Sequence, residues 1–216
     1  MSAKECRLAY KTAPHSLYLF TGRPSKVDAS FLWADGNIML IDGSTYFKFD
    51  KHSGSLLRGF PLTMMDTDLS GIPPNIDAAL SLPEQKTYFF KRGKVWQWGS
   101  NGMPKRISDD WSGIPDDLDS AFYWPYNHKA YFFRGEYFYR YDIGEKKVDY
   151  GYPKLIASGW PGASPTIDAA TSLKNGTVFL IKKNKVFTFH PPVCKEETTF
   201  IDGLKKDLFL SWWHHE

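Results

Sequence analysis

Short runs of alternating hydrophobic and polar residues recur along the chain, and each run follows a hydrophobic-Asp-small motif. The four motifs centre on Asp28, Asp77, Asp119 and Asp168, which are spaced 49, 42 and 49 residues apart. The run after each motif is rich in β-branched and aromatic residues, which is typical of strands. Four similar strand-rich units predict a repeat architecture.

A turn residue lies 15 or 16 positions after each aspartate. The turn residues are Gly43, Gly93, Gly135 and Asn184, types that tolerate positive φ in tight hairpins. An aromatic residue follows three positions later in every copy, at Tyr46, Trp96, Phe138 and Phe187. Each unit therefore predicts a strand that opens at the aspartate, a hairpin of two further strands, and a closing segment.

The whole chain is expected to be all-β, because no long helical pattern occurs in it. A unit of this length cannot bury both of its faces alone, but several units arranged radially pack face to face. We therefore predict a four-bladed β-propeller over residues 24–213. Residues 1–23 fall outside the four units, and we expect them to form an N-terminal extension or an extra strand.

Several motifs recur in order, with substitutions from copy to copy. These are Ile-Asp-Ala-Ala, Tyr-Phe-Phe-(Lys/Arg)-X-Gly, Gly-Tyr-Pro-Lys-X-Ile and Trp-X-Gly-Ile-Pro. The combination resembles the hemopexin-like repeat, and it is most similar to the C-terminal domain of matrix metalloproteinases. The copies are not identical, since the first has Leu69 where the second and third have Trp111 and Trp160, and the fourth lacks Gly-X-Pro.

The sequence contains two cysteines, Cys6 and Cys194, near opposite ends. From the residues alone they are either two ordinary reduced thiols or a disulfide that ties the ends together. In the metalloproteinase domains one cysteine precedes the first blade and its partner ends the last. The resemblance therefore implies a Cys6–Cys194 bond, although Cys194 lies inside the fourth unit rather than at its end.

Composition and charge exclude several classes of protein. Apolar residues make up 42 % of the chain and aromatic residues 17 %, which rules out disorder. The net charge of +3 is too small to favour nucleic acid as a partner. No apolar run approaches the roughly 18 residues of a membrane helix, and the first residues lack the apolar stretch of a signal peptide. A secreted, extracellular location follows only from the family resemblance.

Catalytic signatures are missing from the sequence. It has no His-Glu-X-X-His, Gly-X-Ser-X-Gly, phosphate-loop or Cys-X-X-Cys motif. We therefore expect a binding module rather than an enzyme. By resemblance, the module is the accessory domain of a secreted metalloproteinase, or a free-standing relative that holds protein or matrix partners.

The four repeated aspartates predict a cation site at the propeller axis. An Asp that opens a strand can simply accept backbone N–H bonds and fix the turn into it. Four equivalent positions around one axis would also suit a hard cation, calcium or sodium. In hemopexin-like domains backbone carbonyls hold the axial ion, so the resemblance makes Asp28, Asp77, Asp119 and Asp168 markers of that site.

A small-ligand carrier that binds haem or a polyamine at the axis is the alternative function. Haem needs axial ligands that converge on one pocket. The sequence offers six histidines, and their spacing pairs none of them: His15, His52, His128, His190, His214 and His215. His52 and His190 are the two candidates for a haem ligand.

Three further surface features bear on partners. The run Phe122-Tyr123-Trp124-Pro125-Tyr126 has more aromatic area than one inward strand face can bury, so Tyr123, Trp124 and Tyr126 are predicted to form a protein-binding patch. The basic stretches Lys182-Lys183-Asn184-Lys185 and Lys205-Lys206 could meet a sulphated glycan. Asn175-Gly176-Thr177 is a glycosylation sequon at a predicted turn.

Overall fold

The computed structural model describes residues 9–10, 15–16, 24–100 and 103–191. Its strands form four antiparallel sheets, one for each sequence unit. Two short strands, β1 (Ala9–Tyr10) and β2 (His15–Ser16), come before the first unit. Cys6 and Cys194 lie outside the described residues, so their bond stays a prediction.

Blade 1 contains β3 (Ala29–Leu32), β4 (Ile38–Asp42), β5 (Thr45–Phe49) and β6 (Leu62–Thr63), followed by a 3₁₀ turn at Met64–Asp66. Blade 2 contains β7 (Ala78–Ser81), β8 (Thr87–Lys91), β9 (Lys94–Gln97) and β10 (Lys105–Arg106), followed by α1 (Ile107–Asp110). In both blades the strands follow chain order from the inside outwards.

Blade 3 contains β11 (Ser120–Trp124), β12 (Lys129–Arg134), β13 (Tyr137–Asp142), β14 (Lys147–Val148) and β15 (Lys154–Leu155), followed by α2 (Ile156–Gly159). Both β14 and β15 pair with β13, so they divide the outermost position between them. Blade 4 contains β16 (Ala169–Ser172), β17 (Val178–Lys182) and β18 (Lys185–His190).

The four inner strands form a closed ring around one axis. Each contacts the inner strands of the two neighbouring blades, in the order β3, β7, β11, β16 and back to β3. The first residue of every inner strand is small and buried, which lets the four strands approach closely: Ala29, Ala78, Ser120 and Ala169. The predicted all-β, four-bladed propeller is therefore confirmed.

One hydrophobic cluster fills each gap between neighbouring blades. Trp160 is 2 % exposed between blades 3 and 4, and its ring packs edge-on against those of Phe122 and Phe189. Trp111 holds the matching place between blades 2 and 3, and Leu69 lies in the cluster between blades 1 and 2. Among the described residues, the cluster between blades 4 and 1 contains no Trp.

The outermost position of blade 4 is occupied by the N-terminal segment. Ala9 is the Cα partner of His190, and Ser16 is the partner of Lys185, both in antiparallel register with β18. We expected residues 1–23 to form either an extension or an extra strand. Ala9–Tyr10 and His15–Ser16 form extra strands. Because β18 lies at the end of the propeller sequence, the pairing joins the first described strands to the last and closes the ring.

All four two-residue hairpin turns contain the predicted turn residue, but its place within the turn differs between blades. The first turn residue is left-handed in every blade, and it is Gly43 in blade 1 and Gly135 in blade 3. In blades 2 and 4 the first turn residue is Arg92 (φ +46°) and Lys183 (φ +53°), and the predicted Gly93 (φ +75°) and Asn184 come second. The spacing therefore located every turn, but a non-glycine residue takes the left-handed first position in two of them.

No helix of the described residues has the length and apolar character needed to cross a bilayer.

Candidate functional site

Each repeated aspartate fixes the hairpin of its own blade. Its carboxylate Oδ2 accepts the backbone N–H of the residue that begins the turn, and its own N–H bonds the strand carbonyl before that turn. The four carboxylate bonds are Gly43 N to Asp28 at 2.7 Å, Arg92 N to Asp77 at 2.7 Å, Gly135 N to Asp119 at 2.5 Å, and Lys183 N to Asp168 at 2.7 Å. The aspartate therefore links the start of each inner strand to the turn between the second and third strands of the same blade.

The second carboxylate oxygen of three of these aspartates faces a basic side chain. Lys26 lies 2.8 Å from Asp28, Arg134 lies 3.4 Å from Asp119, and Lys182 pairs with Asp168. No group of three or more His, Cys, Asp or Glu side chains able to hold a metal occurs among the residues with described positions. These carboxylates are thus engaged in hairpin and ion-pair contacts of their own blades.

The opposite ends of the inner strands open into a cavity of about 530 Å³ that all four blades line. Its wall is aromatic, with Phe31, Trp33, Trp98, Phe122 and Tyr123. Its hydroxyl groups come from Ser30, Ser81, Thr87, Thr171 and Ser172, and its charged residues are Glu84 and Lys174. Apolar walls with a few polar groups are typical of small-molecule sites.

Two of the hydroxyls link neighbouring blades, whereas one has no bond. Ser81 Oγ donates to the Leu32 carbonyl at 2.6 Å, and Ser172 Oγ donates to the Tyr123 carbonyl in the same way. Ser30 is 1 % exposed, and its Oγ has no hydrogen-bond partner in the part of the chain that the structure describes. A buried hydroxyl without a partner costs free energy, so Ser30 is a polar atom of the cavity wall that folding leaves unsatisfied.

One histidine with a described side chain lines this cavity, and it is neither of the two candidates. His128 contributes to the wall and its Nδ1 lies 3.0 Å from the Tyr123 hydroxyl. His52 is exposed in a turn after Asp50, and His190 lies beside Thr177 in blade 4. His214 and His215 fall outside the described residues. The described histidines therefore do not converge as a pair of haem ligands.

The predicted aromatic patch is only partly exposed. Tyr126 is 46 % exposed and Tyr123 is half-buried, but Trp124 is 5 % exposed and its Nε1 donates to the Gly176 carbonyl at 2.7 Å. Trp124 and Phe122 share the face of β11 that packs towards blade 4. The expected exposure of Trp124 was wrong, because alternate residues of a strand share one face.

The hairpin tips carry a second set of equivalent positions, which we call the rim rows. Each row joins three Cα partners across the three outer strand positions of a blade. The rows are Asp42, Thr45 and Thr63 in blade 1, Lys91, Lys94 and Arg106 in blade 2, Arg134, Tyr137 and Leu155 in blade 3, and Lys182, Lys185 and Ser16 in blade 4. Equivalent backbone positions at the hairpin tips of the four blades thus carry four different sets of side chains.

Two rim rows contain residues that folding alone does not explain. In blade 2, Lys94 lies directly between Lys91 and Arg106, although like charges opposite one another destabilise a sheet. No carboxylate pairs with Lys94 or Arg106 within the described residues, while Asp109 and Asp110 follow on α1. In blade 3, Tyr137 is 49 % exposed and its partner Leu155 is 46 % exposed.

A scan against family models matches the Hemopexin model to residues 76–116 and 118–163. These ranges contain blade 2 with α1 and blade 3 with α2, each with its repeated aspartate. The chain carries a hemopexin-like domain. The resemblance inferred from the motifs is therefore confirmed.

Two curated proteins illustrate the similarity. Matrix metalloproteinase-2 of Drosophila melanogaster is 35 % identical over 78 residues, covering 36 % of this chain and 10 % of that protein. Human vitronectin is 29 % identical over 157 residues, covering 69 % of this chain and 31 % of that protein. The chain therefore spans about a tenth and about a third of these relatives.

Solved hemopexin-fold structures share the architecture. A hemopexin fold protein from cow pea has a TM-score of 0.64 at 18 % identity, over 77 % of this chain and 86 % of that one. A seed albumin from Dolichos has a TM-score of 0.66 at 17 % identity, over 88 % of this chain and 96 % of that one. At these identities the likeness shows the fold alone.

Proposed function

We propose that this hemopexin-like domain is a non-catalytic extracellular binding module whose blade rims hold protein or matrix partners. The observation that carries the proposal is the contrast between the equivalent inner strands and the chemically different rim rows. The inner positions are fixed by packing, whereas exposed Tyr137, Leu155, Lys94 and Arg106 lie where the core does not need them. Exposed aromatic and Arg side chains are the types that dominate protein interfaces.

The rim row of blade 3 is the proposed protein-binding position. Tyr137 and Leu155 are Cα partners, so their side chains stand side by side on one face of the sheet. Arg134 extends the row on the other side of Tyr137, and its guanidinium pairs with Asp117 and Asp119. Tyr123 and Tyr126 remain a second proposed contact, since Tyr126 is exposed and Tyr123 is half-buried.

The cationic rim rows of blades 2 and 4 are proposed to meet a sulphated glycan. Lys94 and Arg106 have no carboxylate partner among the described residues, and Lys183 and Lys185 are exposed at the tip of the blade 4 hairpin. An anionic polymer would relieve the repulsion between the aligned cations. Lys205 and Lys206 lie outside the described residues and add nothing to this argument.

Retention on decellularised fibroblast matrix tests the binding proposal. We expect the wild-type domain to be retained, Tyr137→Ala/Leu155→Ala to lose the protein-dependent part, and Lys94→Ala/Arg106→Ala to lose the part removed by heparinase. Thr45→Ala/Thr63→Ala, at the same positions of blade 1, is the matched control and should bind as wild type. The proposal fails if the wild-type domain is retained no better than a variant that carries all four blade 2 and blade 3 substitutions.

The extracellular part of the proposal is supported by the similarity to a matrix metalloproteinase and to vitronectin. By the same similarity, the domain would serve as an accessory module of a secreted metalloproteinase or of a free-standing matrix protein. The gene sequence on either side of this chain distinguishes the two, because the first requires a zinc-protease domain upstream. A fusion to a secretory reporter tests whether the domain folds and leaves the cell.

A structural cation at the axis, calcium or sodium, is part of the same proposal. It is supported by the fourfold equivalence of the inner-strand starts and by aspartates that hold those starts in place. Melting in calcium and in chelator tests it, because a ligand that binds only the folded state raises the melting temperature. Equal melting temperatures in calcium, sodium and a cation-free buffer would contradict it.

A small-ligand carrier is the second candidate, and the unpartnered Ser30 hydroxyl in the aromatic cavity favours it. Hemin and spermine are the probes for the two ligand classes. If the cavity binds hemin, its Soret band should shift and His128→Ala should abolish the shift, because His128 is the cavity histidine among those with described side chains. If it binds spermine, Glu84→Gln should weaken binding. Absence of both signals would remove this candidate.

A further inference from the structure

The sequence contains six asparagines, and Asn175 alone is followed by a hydroxyl residue two positions later. Thr177 supplies that hydroxyl, with Gly176 between them. Asn-X-Ser/Thr is the acceptor for an N-linked glycan, provided that X is not proline. Neither the binding function nor the cation at the axis uses this tripeptide.

Asn175 lies at the tip of the hairpin that joins β16 to β17. Leu173 N donates to the Thr177 carbonyl at 2.7 Å, and Gly176 N donates to the Leu173 carbonyl at 2.9 Å. Gly176 has a φ of +86°, which a residue with a side chain rarely adopts. The tight turn pushes the Asn175 side chain outwards, and Asn175 is exposed.

The carboxamide of Asn175 is oriented so that its nitrogen is available. Its Oδ1 accepts the Thr177 N–H at 3.0 Å, which directs the other side of the amide away from the turn. No hydrogen bond from Nδ2 occurs within the described part of the chain. A substituent on Nδ2 would therefore displace no contact of the folded hairpin.

Thr177 shows when the modification must happen. It is 3 % exposed, and its Oγ1 lies 3.4 Å from His190 Nδ1. An enzyme that needs this hydroxyl cannot reach it in the folded blade. The transfer must therefore take place on the chain before blade 4 closes, which is the order expected for a protein modified during its synthesis.

The hairpin lies against an aromatic ring that would contact the first sugar. The Gly176 carbonyl accepts the Trp124 indole N–H, and a Cβ placed on Gly176 would lie 3.6 Å from Tyr126 Cβ. Tyr126 is 46 % exposed and stacks obliquely on Trp124 with ring centroids 5.3 Å apart. A sugar on Asn175 could cover the exposed part of this ring with its C–H face, which would remove apolar surface from water.

We propose that Asn175 is an N-glycosylation site whose glycan covers Tyr126 beside the mouth of the axial cavity. In the transfer, Asn175 Nδ2 forms a bond to C1 of N-acetylglucosamine, and the bond from C1 to a lipid diphosphate breaks. The diphosphate leaves with the electron pair, the amide loses one proton, and nothing is oxidised or reduced. The lipid-linked oligosaccharide is the co-substrate. The proposal rests on the extracellular part of the proposed function, because that donor belongs to the secretory pathway.

A glycan at this hairpin has a consequence for the binding surface. It would stand at the end of the axis where Lys174 and Pro125 line the cavity mouth. The rim rows lie at the other ends of the inner hairpins, next to the repeated aspartates. A bulky glycan would therefore keep macromolecules from Tyr126, which rules out the second proposed contact at Tyr123 and Tyr126 in the glycosylated protein, and it would leave the rim rows accessible.

Cell-free translation with microsomes, using the full chain behind a signal peptide, tests the acceptor site without relying on secretion. Protease-protected wild type and Thr177→Ser should both lose the mass of one glycan on treatment with a peptide N-glycosidase. Thr177→Val, which keeps the side-chain shape, and Asn175→Gln should show no change. Protected wild type that carries no glycan would overturn the proposal.

Secretion from cultured cells separates this proposal from the proposed function. Secreted, matrix-binding protein with unmodified Asn175 would refute the glycan and leave the binding module intact. Glycosylated protein that does not bind matrix would refute the binding module and leave the glycosylation site intact.

The contact with Tyr126 predicts that deglycosylation lowers the melting temperature by about 2 °C. Tyr126→Ala should lose this difference, and Tyr150→Ala, an exposed tyrosine elsewhere, should keep it. An unchanged difference in Tyr126→Ala would refute the contact.

Discussion

The axis and the rim of this propeller are built from the same four repeats, yet they differ in how far the repeats agree. At the axis every blade begins with a small buried residue and an aspartate that bonds the turn amide. At the rim the equivalent rows are polar, cationic, aromatic or mixed. Packing around the axis constrains residue type, whereas the rim is free to vary and so can carry recognition.

Replacement of a core aromatic should give the largest effect. Trp160→Ala removes a ring that touches those of Phe122, Tyr131 and Phe189, and we expect it to lower the free energy of unfolding by about 3–5 kcal/mol. Tyr137→Ala on the rim of the same blade is the control and should change it by about 0.5 kcal/mol or less. Urea denaturation measures both. Similar losses would contradict the division between core and rim.

Loss of the proposed disulfide should come next. Cys6 precedes Ala9 by three residues and Cys194 follows His190 by four, and Ala9 and His190 are Cα partners. Three and four residues of extended chain span at most roughly 11 Å and 14 Å, so the connectivity of the chain permits the predicted bond. Cys6→Ser/Cys194→Ser should cost about 2–4 kcal/mol. Equal stability of the wild type with and without reductant would show that no such bond contributes.

Removal of one turn-binding carboxylate should have a smaller effect. Asp77 accepts the Arg92 N–H, a hydrogen bond to a charged group, so Asp77→Ala should cost about 1–2 kcal/mol by thermal or urea unfolding. Asp77→Asn keeps an acceptor and should cost less. It should also preserve any stabilisation by calcium. If Asp77→Asn abolishes that stabilisation, the carboxylate is a direct cation ligand.

The smallest effect concerns a charge network at the outer edge of blade 3. The Lys129 ammonium, 2.6 Å from Asp142, lowers the pKa of that carboxyl to about 2. Asp142 therefore stabilises the fold fully above the ordinary carboxyl pKa near 4, and the contribution disappears as pH falls through about 2. Urea unfolding between pH 2 and pH 5 should show a shallower pH dependence in Asp142→Asn. Parallel curves would contradict this role.

The fold could be predicted because its signals are local and repeated. Each inner strand is introduced by its own aspartate, and each hairpin is marked by strand-forming residues. The blade 4 closure could not be predicted, because β18 pairs with residues more than 160 positions away in the sequence. The spacing identified Gly93 and Asn184 as the turn residues of blades 2 and 4. The aspartates of these blades instead bind the amides of the preceding residues, Arg92 and Lys183.

The functional residues were predicted less well than the fold, because the tertiary structure decides which side chains are exposed and which lie together. Alternation along β11 would have placed Trp124 with Phe122 on one face, but aromatic content alone suggested exposure. Ser30 gives no signal in the sequence, since its importance comes from a buried hydroxyl left without a partner among the described residues. The row of Lys91, Lys94 and Arg106 is also invisible in the sequence, because strand register brings these three residues together.

An exchange of rim rows tests the central claim most directly, with immobilised heparin as the probe and surface plasmon resonance as the measurement. Lys94→Thr/Arg106→Thr gives the two outer positions of the blade 2 rim row the residues of blade 1, and two lost ion pairs should weaken binding about tenfold. Adding Thr45→Lys/Thr63→Arg should then restore binding in part, at an unchanged melting temperature. Unchanged affinity in the first variant, or no recovery in the second, would show that the rim rows do not determine what this propeller binds.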